Sequence, residues 1–297
     1  MMRKLALAAC VAGCTSTAGG DEPPLDPAPP EGGQQLASTT FTLEPGQEIY
    51  MCYQFLSPDD TVAITKVESI EMQGVHHIAL YQPFGRNEDP KPHECNTLIK
   101  PTWQPIWAGG NGDNKQLVTP AGTGFVITPG TQYILQVHYQ NASDTSLDIR
   151  AGVNLTYDHD PSTLQPAGIY ALGRLGFQIP AGANDFTLDE DCHAGKDMHV
   201  FAVFPHMHKI GTKLDVELTP DGAARRNMYA IDPWTFGNQP MDPLDLVLAP
   251  KDLMHMTCHY DNPGATPVDY GESSDQEMCF FVLFYYPFDN LDGCIDG

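Results

Sequence analysis

Gly124-Phe125-Val126-Ile127-Thr128-Pro129-Gly130-Thr131-Gln132-Tyr133-Ile134-Leu135-Gln136-Val137-His138-Tyr139 reads as two strands joined by a turn. Aromatic and β-branched residues favour a pleated backbone on both sides, and Thr128-Pro129-Gly130 supplies the fixed proline φ and the unrestricted glycine that reverse a chain. The pattern recurs along the sequence. Strand-like runs fall at Thr61–Val67, His76–Tyr81, Gly152–Tyr157, Met198–Phe204, Lys213–Leu218 and Met278–Tyr286, with Pro180-Ala181-Gly182 as a further turn. No long amphipathic helix separates them, and 27 Gly with 26 Pro in 297 residues favour short strands and turns. These features predict an all-β chain of two antiparallel β-sandwich domains, residues 41–160 and 161–297, hinged at Asp158–Pro166 around Asp160-Pro161. No internal repeat marks a duplication.

The 38 acidic residues outnumber 15 basic ones, for a formal charge of -23. Such a field repels a phosphate backbone or an anionic bilayer, so nucleic acid is excluded as a partner. Residues 1–14 pair a basic start with a short apolar stretch ending Val11-Ala12-Gly13-Cys14, similar to a bacterial lipoprotein signal with Cys14 as the lipidated residue. Leu7-Ala8-Ala9-Cys10 fits the same pattern after too short an apolar region, and an ordinary secretory signal is the alternative. The apolar run is too short to span a bilayer, which leaves an N-terminal lipid as the membrane contact of an exported protein, periplasmic or on the cell surface. Residues 15–40, rich in Pro, Gly and acid up to about Gly33, read as a disordered tether. Beyond Cys10 and Cys14, six cysteines remain, Cys52, Cys95, Cys192, Cys258, Cys279 and Cys294, an even number suited to disulfides in an oxidising compartment. None forms Cys-x-x-Cys, so a zinc ribbon or dithiol redox site has no support.

Three groups stand out among the 11 histidines: His76-His77, His138, and His206-Met207-His208. On a strand, side chains at i and i+2 share a face, so His206 and His208 can serve one metal while Met207 turns away. Adjacent His76 and His77 point to opposite faces of a regular strand, and joining one metal requires a bulge or different ring nitrogens. Each group alone is equally compatible with hydrogen-bonded core or surface histidines, as Met278 alone is with core packing.

The order of Gly74-Val75-His76-His77-Ile78-Ala79-Leu80, Leu135-Gln136-Val137-His138-Tyr139, His206-Met207-His208-Lys209-Ile210-Gly211 and Asp275-Gln276-Glu277-Met278-Cys279 resembles the copper type II, ascorbate-dependent monooxygenases, over nearly the whole chain after the tether. The resemblance implies jelly-roll-like domains and two coppers per chain. His76, His77 and His138 would hold an electron-transfer copper, and His206, His208 and Met278 an oxygen-activating one, with electrons passing across a cleft between sites that share no residue. It implies catalysis at His206, His208 and Met278: hydroxylation of a C–H bond of a small molecule with O2 and ascorbate or a similar donor. The soft thioether of Met278 suits Cu(I) and ill suits zinc. It also implies the disulfides Cys52–Cys95, Cys192–Cys294 and Cys258–Cys279. Members acting on glycine-extended peptides use an arginine, an asparagine and a tyrosine to hold the peptide carboxylate where this chain has Phe204, Phe280 and Val282. Three apolar side chains would strand an anion, so these residues predict a neutral, apolar or aromatic substrate. His93, His159, His193, His255 and His259 match no ligand position, whereas His199 is a possible support for a ligand. The alternative function is a non-catalytic exported copper-binding or electron-transfer lipoprotein.

Overall fold

The computed structural model describes residues 15–17, 22–70, 72–85, 88–95, 100, 102–110 and 115–296. The signal-like segment, with Cys10 and Cys14, lies outside the described residues. Among the described residues, the one helical element is the 3-10 turn Pro161–Thr163 in the predicted hinge, and no helix is long and apolar enough to cross a membrane. The chain is all-β.

Each half is a sandwich of two sheets. In the first, Gln34–Ala37, Gly152–Asp158, Val62–Ile70 and Thr123–Ile127 lie side by side in one sheet. The facing sheet runs Glu48–Leu56, Gln132–Gln140, Val75–Pro83, Trp103–Gly110. Val62, Ile64, Val153 and Leu155 of one sheet meet Tyr53, Ile78, Leu80, Leu135 and Val137 of the other in one buried apolar core. In the second half, Asp242–Leu248, Met198–His206, Cys279–Tyr286, Gly168–Arg174 and Asp292–Asp296 form one sheet, and Ala183–His193, Leu253–Asn262, Gly211–Thr219 and Arg226–Ile231 the other. Their core includes Leu172, Val203, Phe281 and Leu283 against Leu214, Val216, Met254 and Tyr260.

The halves are not separate globules. Alternation along Met198–His206 sends Val203 into the second core, whereas Ala202 and Phe204, with Ile169, Met241 and Phe284, join the core of the first half. The central sheet of the second sandwich is therefore covered on both faces. Within the expected hinge, Gln165–Pro166 pairs in parallel with Thr123 and Gly124, so the chain is still part of the first half's sheet at Pro166.

The expectation of a tether over residues 15–40 requires correction: Thr15–Thr17 pairs in parallel with Gln35–Ala37, and the chain is again packed on the first sandwich from Glu22 onward. Gln34–Ala37 is a buried strand paired antiparallel with Gly152–Asp158, and Leu36 is fully enclosed in the core. Gln35 Nε2 donates to the carbonyls of Leu25 (3.2 Å) and Pro27 (3.1 Å), and Glu22 pairs with Arg150 at 2.9 Å. Two buried glutamines whose side-chain amides donate to the carbonyls of Leu56 and of Leu25 and Pro27 make a sound strand of the sheet that composition reads as polar linker. The three disulfides form as the resemblance implies: Cys52–Cys95, Cys192–Cys294 and Cys258–Cys279.

Candidate metal centre

Val75–Pro83 pairs antiparallel with Gln132–Gln140, placing His138 opposite His77. The register then shifts, so that Tyr139 faces Val75 and His76 is the extra residue of a β-bulge. This is the device that lets neighbouring histidines turn to one side. The Nδ1 atom of His76 lies 3.2 Å from Nδ1 of His77 and 3.2 Å from Nδ1 of His138, and one ligand atom from each residue lies within 4.8 Å of the other two. All three rings are buried. Burial holds the His76 imidazole down to about 3 and His77 well below the ordinary range, with the neighbouring rings adding to both. His138 is lowered by burial against the upward pull of Glu48, whose Oε1 accepts from His138 Nε2 at 2.8 Å. That bond fixes the His138 proton on Nε2 and frees Nδ1. Burial raises the Glu48 carboxyl, but hydrogen bonds from His138 and Ser274 prevail and hold it at about 2.

The second set sits at strand ends. His206 closes Met198–His206, His208 follows in the turn, and their ring centroids are 5.1 Å apart at 90°. His206 is in register with Phe280, two residues after Met278, and the Glu277 carboxylate accepts from the backbone N–H groups of both His208 and Met278. Met278 is buried, its carbonyl accepts from Tyr260 Oη at 2.7 Å, and the next residue is the disulfide-bonded Cys279. His208 Nδ1 donates to the Gln276 carbonyl (3.0 Å) and His206 Nδ1 to Gln239 Oε1 (2.8 Å). Both Nε2 atoms are then left buried without a hydrogen-bond partner, an arrangement that a metal would satisfy. Burial lowers His206 to about 3 and His208 to about 4, keeping both lone pairs free of protons at neutral pH. Neutral imidazoles with a thioether fit copper, and three imidazoles in the first set fit either oxidation state.

The sequence does not reveal what fixes the turn. Glu277 is fully buried, and its carboxylate accepts from the backbone N–H groups of His208 (2.8 Å), Ile210 (2.7 Å) and Met278 (3.3 Å). Burial pushes this carboxyl up to about 7 against the downward pull of those donors. One side chain thus ties the His206–His208 turn to Met278. The signal in the sequence is a lone acid at the head of an apolar run, Glu277-Met278-Cys279-Phe280-Phe281. Glu48, Gln276 and Gln239 carry no local signal.

The ligand sets are not independent sites facing each other across an open cleft. His77 and His206 have centroids 5.8 Å apart, and Gln239 reaches both sets, 3.2 Å from His76 Nε2. The separation implied by the resemblance is absent because the apolar contact at Phe204 and Phe284 closes the halves together. His199 is exposed and stacks on Tyr286 at 5.1 Å, away from both sets, which removes its expected supporting role. His255 and His259 pair with Asp191 and Asp185 on the outer face, and His93, His159 and His193 bond backbone carbonyls.

A cavity of about 490 Å³ runs between the halves to both sets, with His77 and His206 in its wall. Phe204, Phe280 and Val282 line it, with Tyr81, Trp103 and Trp107 from the first half, the exposed Leu291 just before the last strand and the exposed Ile295 within it. Gly173 is required beneath Phe280, since a Cβ there would lie 2.2 Å from the ring. Lys100, the one Lys or Arg in the wall among the described residues, is paired with both Glu88 carboxylate oxygens at 2.9 Å.

Residues 165–297 match the family model described as copper type II ascorbate-dependent monooxygenase, C-terminal domain. DBH-like monooxygenase protein 1 of Homo sapiens is 28% identical over 280 residues, covering 82% of this chain and 45% of the relative. Putative DBH-like monooxygenase protein 2 of Homo sapiens is 25% identical over 254 residues, covering 74% of this chain and 48% of the relative. Dopamine beta-hydroxylase of Equus caballus is 28% identical over 292 residues, covering 85% and 46%. The chain spans about half the length of the curated relatives it matches.

Proposed function

We propose, on the premise that residues 165–297 belong to the copper type II ascorbate-dependent monooxygenase family, that the chain hydroxylates a C–H bond of a neutral, apolar or aromatic small molecule. The observation that carries this reading is the aromatic-lined cavity that ends on His77 and His206. His76, His77 and His138 would hold an electron-transfer copper, and His206, His208 and Met278 an oxygen-activating one. Bound copper supplies one-electron chemistry and O2 activation, with electrons from ascorbate or a similar donor.

The chain's own residues do the rest. Burial keeps the imidazoles neutral, and Glu48, Gln276 and Gln239 hold the protons on the nitrogens facing away from the metal positions. Glu277 fixes the spacing of the second set, while Phe204, Phe280 and Val282 exclude water and pack an apolar substrate beside His206. A carboxylate entering this cavity would meet no free Lys or Arg in its wall among the described residues, since Lys100 is already paired. Three disulfides suit export to an oxidising compartment, and the lipobox-like Val11–Cys14 supports delivery as a lipoprotein.

The test is to load the full chain with copper and measure ascorbate-dependent O2 uptake and a product heavier by one oxygen atom. Neutral phenylalkyl compounds should be turned over and glycine-terminated peptides should not. Efficient carboxylate-dependent peptide turnover overturns the substrate class, and ascorbate oxidation without any hydroxylated product favours a non-catalytic copper protein.

A further inference from the structure

The Gln239 carboxamide is fully enclosed between the two ligand sets. Its Oε1 lies 2.8 Å from His206 Nδ1, and its Nε2 lies 3.2 Å from His76 Nε2 and 3.4 Å from the Phe236 carbonyl. We infer that Gln239 is a positioning residue that couples the two metal positions negatively, because one carboxamide cannot satisfy both histidines in their ligating tautomers. The inference rests on the copper reading above.

The reasoning follows from which nitrogen carries each proton. The first set converges through Nδ1, so ligation by His76 requires its proton on Nε2, aimed at Gln239. In the second set, the unpartnered nitrogen of His206 is Nε2, so ligation requires its proton on Nδ1, also aimed at Gln239. Both ligating tautomers thus present an N–H to the same amide. An amide has one accepting and one donating end whichever way round it is placed, so in this geometry it matches one N–H and opposes the other.

As arranged here, the oxygen serves His206, and His76 Nε2 accepts from the amide. The His76 proton then sits on Nδ1, among its neighbours' nitrogens. Ligation at the first set moves that proton to Nε2 and sets N–H against N–H. Rotating the amide relieves His76 but turns the NH2 toward His206. The rings have little freedom to part, since the continuous apolar core holds the halves together and Phe236 stacks on His76 at 4.1 Å. The Phe236 carbonyl can accept from a His76 N–H but already accepts from the Gln239 amide, so it moderates the conflict without removing it. An opposed buried donor then weakens the second binding step by about tenfold.

The experiment is a stepwise Cu(I) titration of the full chain against a chromophoric chelator, comparing the protein with Gln239→Glu and Gln239→Leu. His206→Ala and His76→Ala backgrounds give each site's affinity with the other removed. In the unaltered protein, filling one site should weaken the other about tenfold. Gln239→Glu offers two accepting oxygens to the two N–H groups, so the coupling should vanish or turn positive, and Gln239→Leu should leave the sites independent. Near-UV circular dichroism confirms that each variant is folded, and the near-isosteric glutamate variant suffices if the leucine variant is not. Two coppers bound with the same coupling in all three proteins overturn the inference. Fewer than two coppers in the unaltered protein overturn the copper reading, and this inference with it.

Discussion

The two histidine sets are built on different kinds of scaffold. His77 and His138 are opposite partners in the middle of paired strands, and the bulge at His76 adds the third ring without leaving the sheet. Glu48, on the strand at the other side of Gln132–Gln140, steadies His138. The second set hangs on strand ends: His206 is the last residue of its strand, His208 lies in a turn, and Met278 precedes Cys279–Tyr286. A sheet-borne set keeps its geometry because every backbone neighbour is paired. An end-borne set can adjust its ligands, and it depends on one buried acid, Glu277, to stay assembled. The sheet-borne set therefore suits an ion that changes charge while its surroundings stay fixed, and the end-borne set suits an ion whose ligand sphere must admit something new.

The strongest way to test that contrast is to delete ligands. His206→Ala with His208→Ala should reduce hydroxylation to background and lower bound copper from two ions to one, read by metal analysis of the folded protein. The reciprocal His76→Ala with His138→Ala should spare the other ion. Loss of both ions from either pair would show that the scaffolds are a single unit.

Acidification is next in size, read on metal-free protein by urea unfolding at pH 7 and pH 5. The five ligand histidines are held below their ordinary 6.5, so the unfolded chain takes up protons that the fold refuses, and stability falls as pH drops below 6.5. At pH 5 that amounts to about 2 kcal/mol for each strongly shifted ring. Glu277 works the other way: its carboxyl, raised to about 7, costs stability as pH rises from 4.5 to 7, and so offsets about one histidine. Glu48, held at about 2, matters only below pH 4.5. Glu277 sits in the end-borne set and offsets one of its rings, so the sheet-borne set is the larger contributor, and His76→Phe with His77→Phe should flatten the pH dependence more than His206→Phe does.

Glu277→Ala should cost about 3 kcal/mol, by stranding buried N–H groups of the turn, and should weaken copper at the second set while sparing the first. Equal weakening of both would contradict the division of labour. The smallest effect belongs to the cavity wall. Phe204→Leu should raise KM for an apolar substrate about fivefold and leave kcat nearly unchanged, the signature of lost packing rather than lost chemistry.

How much of this was legible in advance depended on distance along the chain. The strands around His76, His138 and His206 follow from residue type and turn punctuation. Strand geometry alone requires either a bulge or different ring nitrogens at His76-His77, and the fold uses the bulge. Other strands were hidden for identifiable reasons. Ala183–His193 is mostly solvent-facing, with acids at Asp185, Asp189 and Asp191, and reads as a charged loop. Gln34–Ala37 is too short for a periodic pattern and too polar for an apolar run. In the site itself, Glu48 lies 90 residues from His138, and Gln239 lies 163 residues from His76 and 33 from His206. No local rule connects such residues, because a glutamine or glutamate acquires its role only when the fold removes it from water beside an imidazole.

The shared core at Phe204 and Phe284 also bears on how the molecule comes apart. Neither sandwich can be exposed without wetting apolar surface that belongs to the other, so melting one half would drag the second with it. A calorimetric scan should therefore trace one sharp endotherm for the whole body, not two staggered ones, and a proteolytic nick near Asp160-Pro161 should fail to release a half that survives by itself.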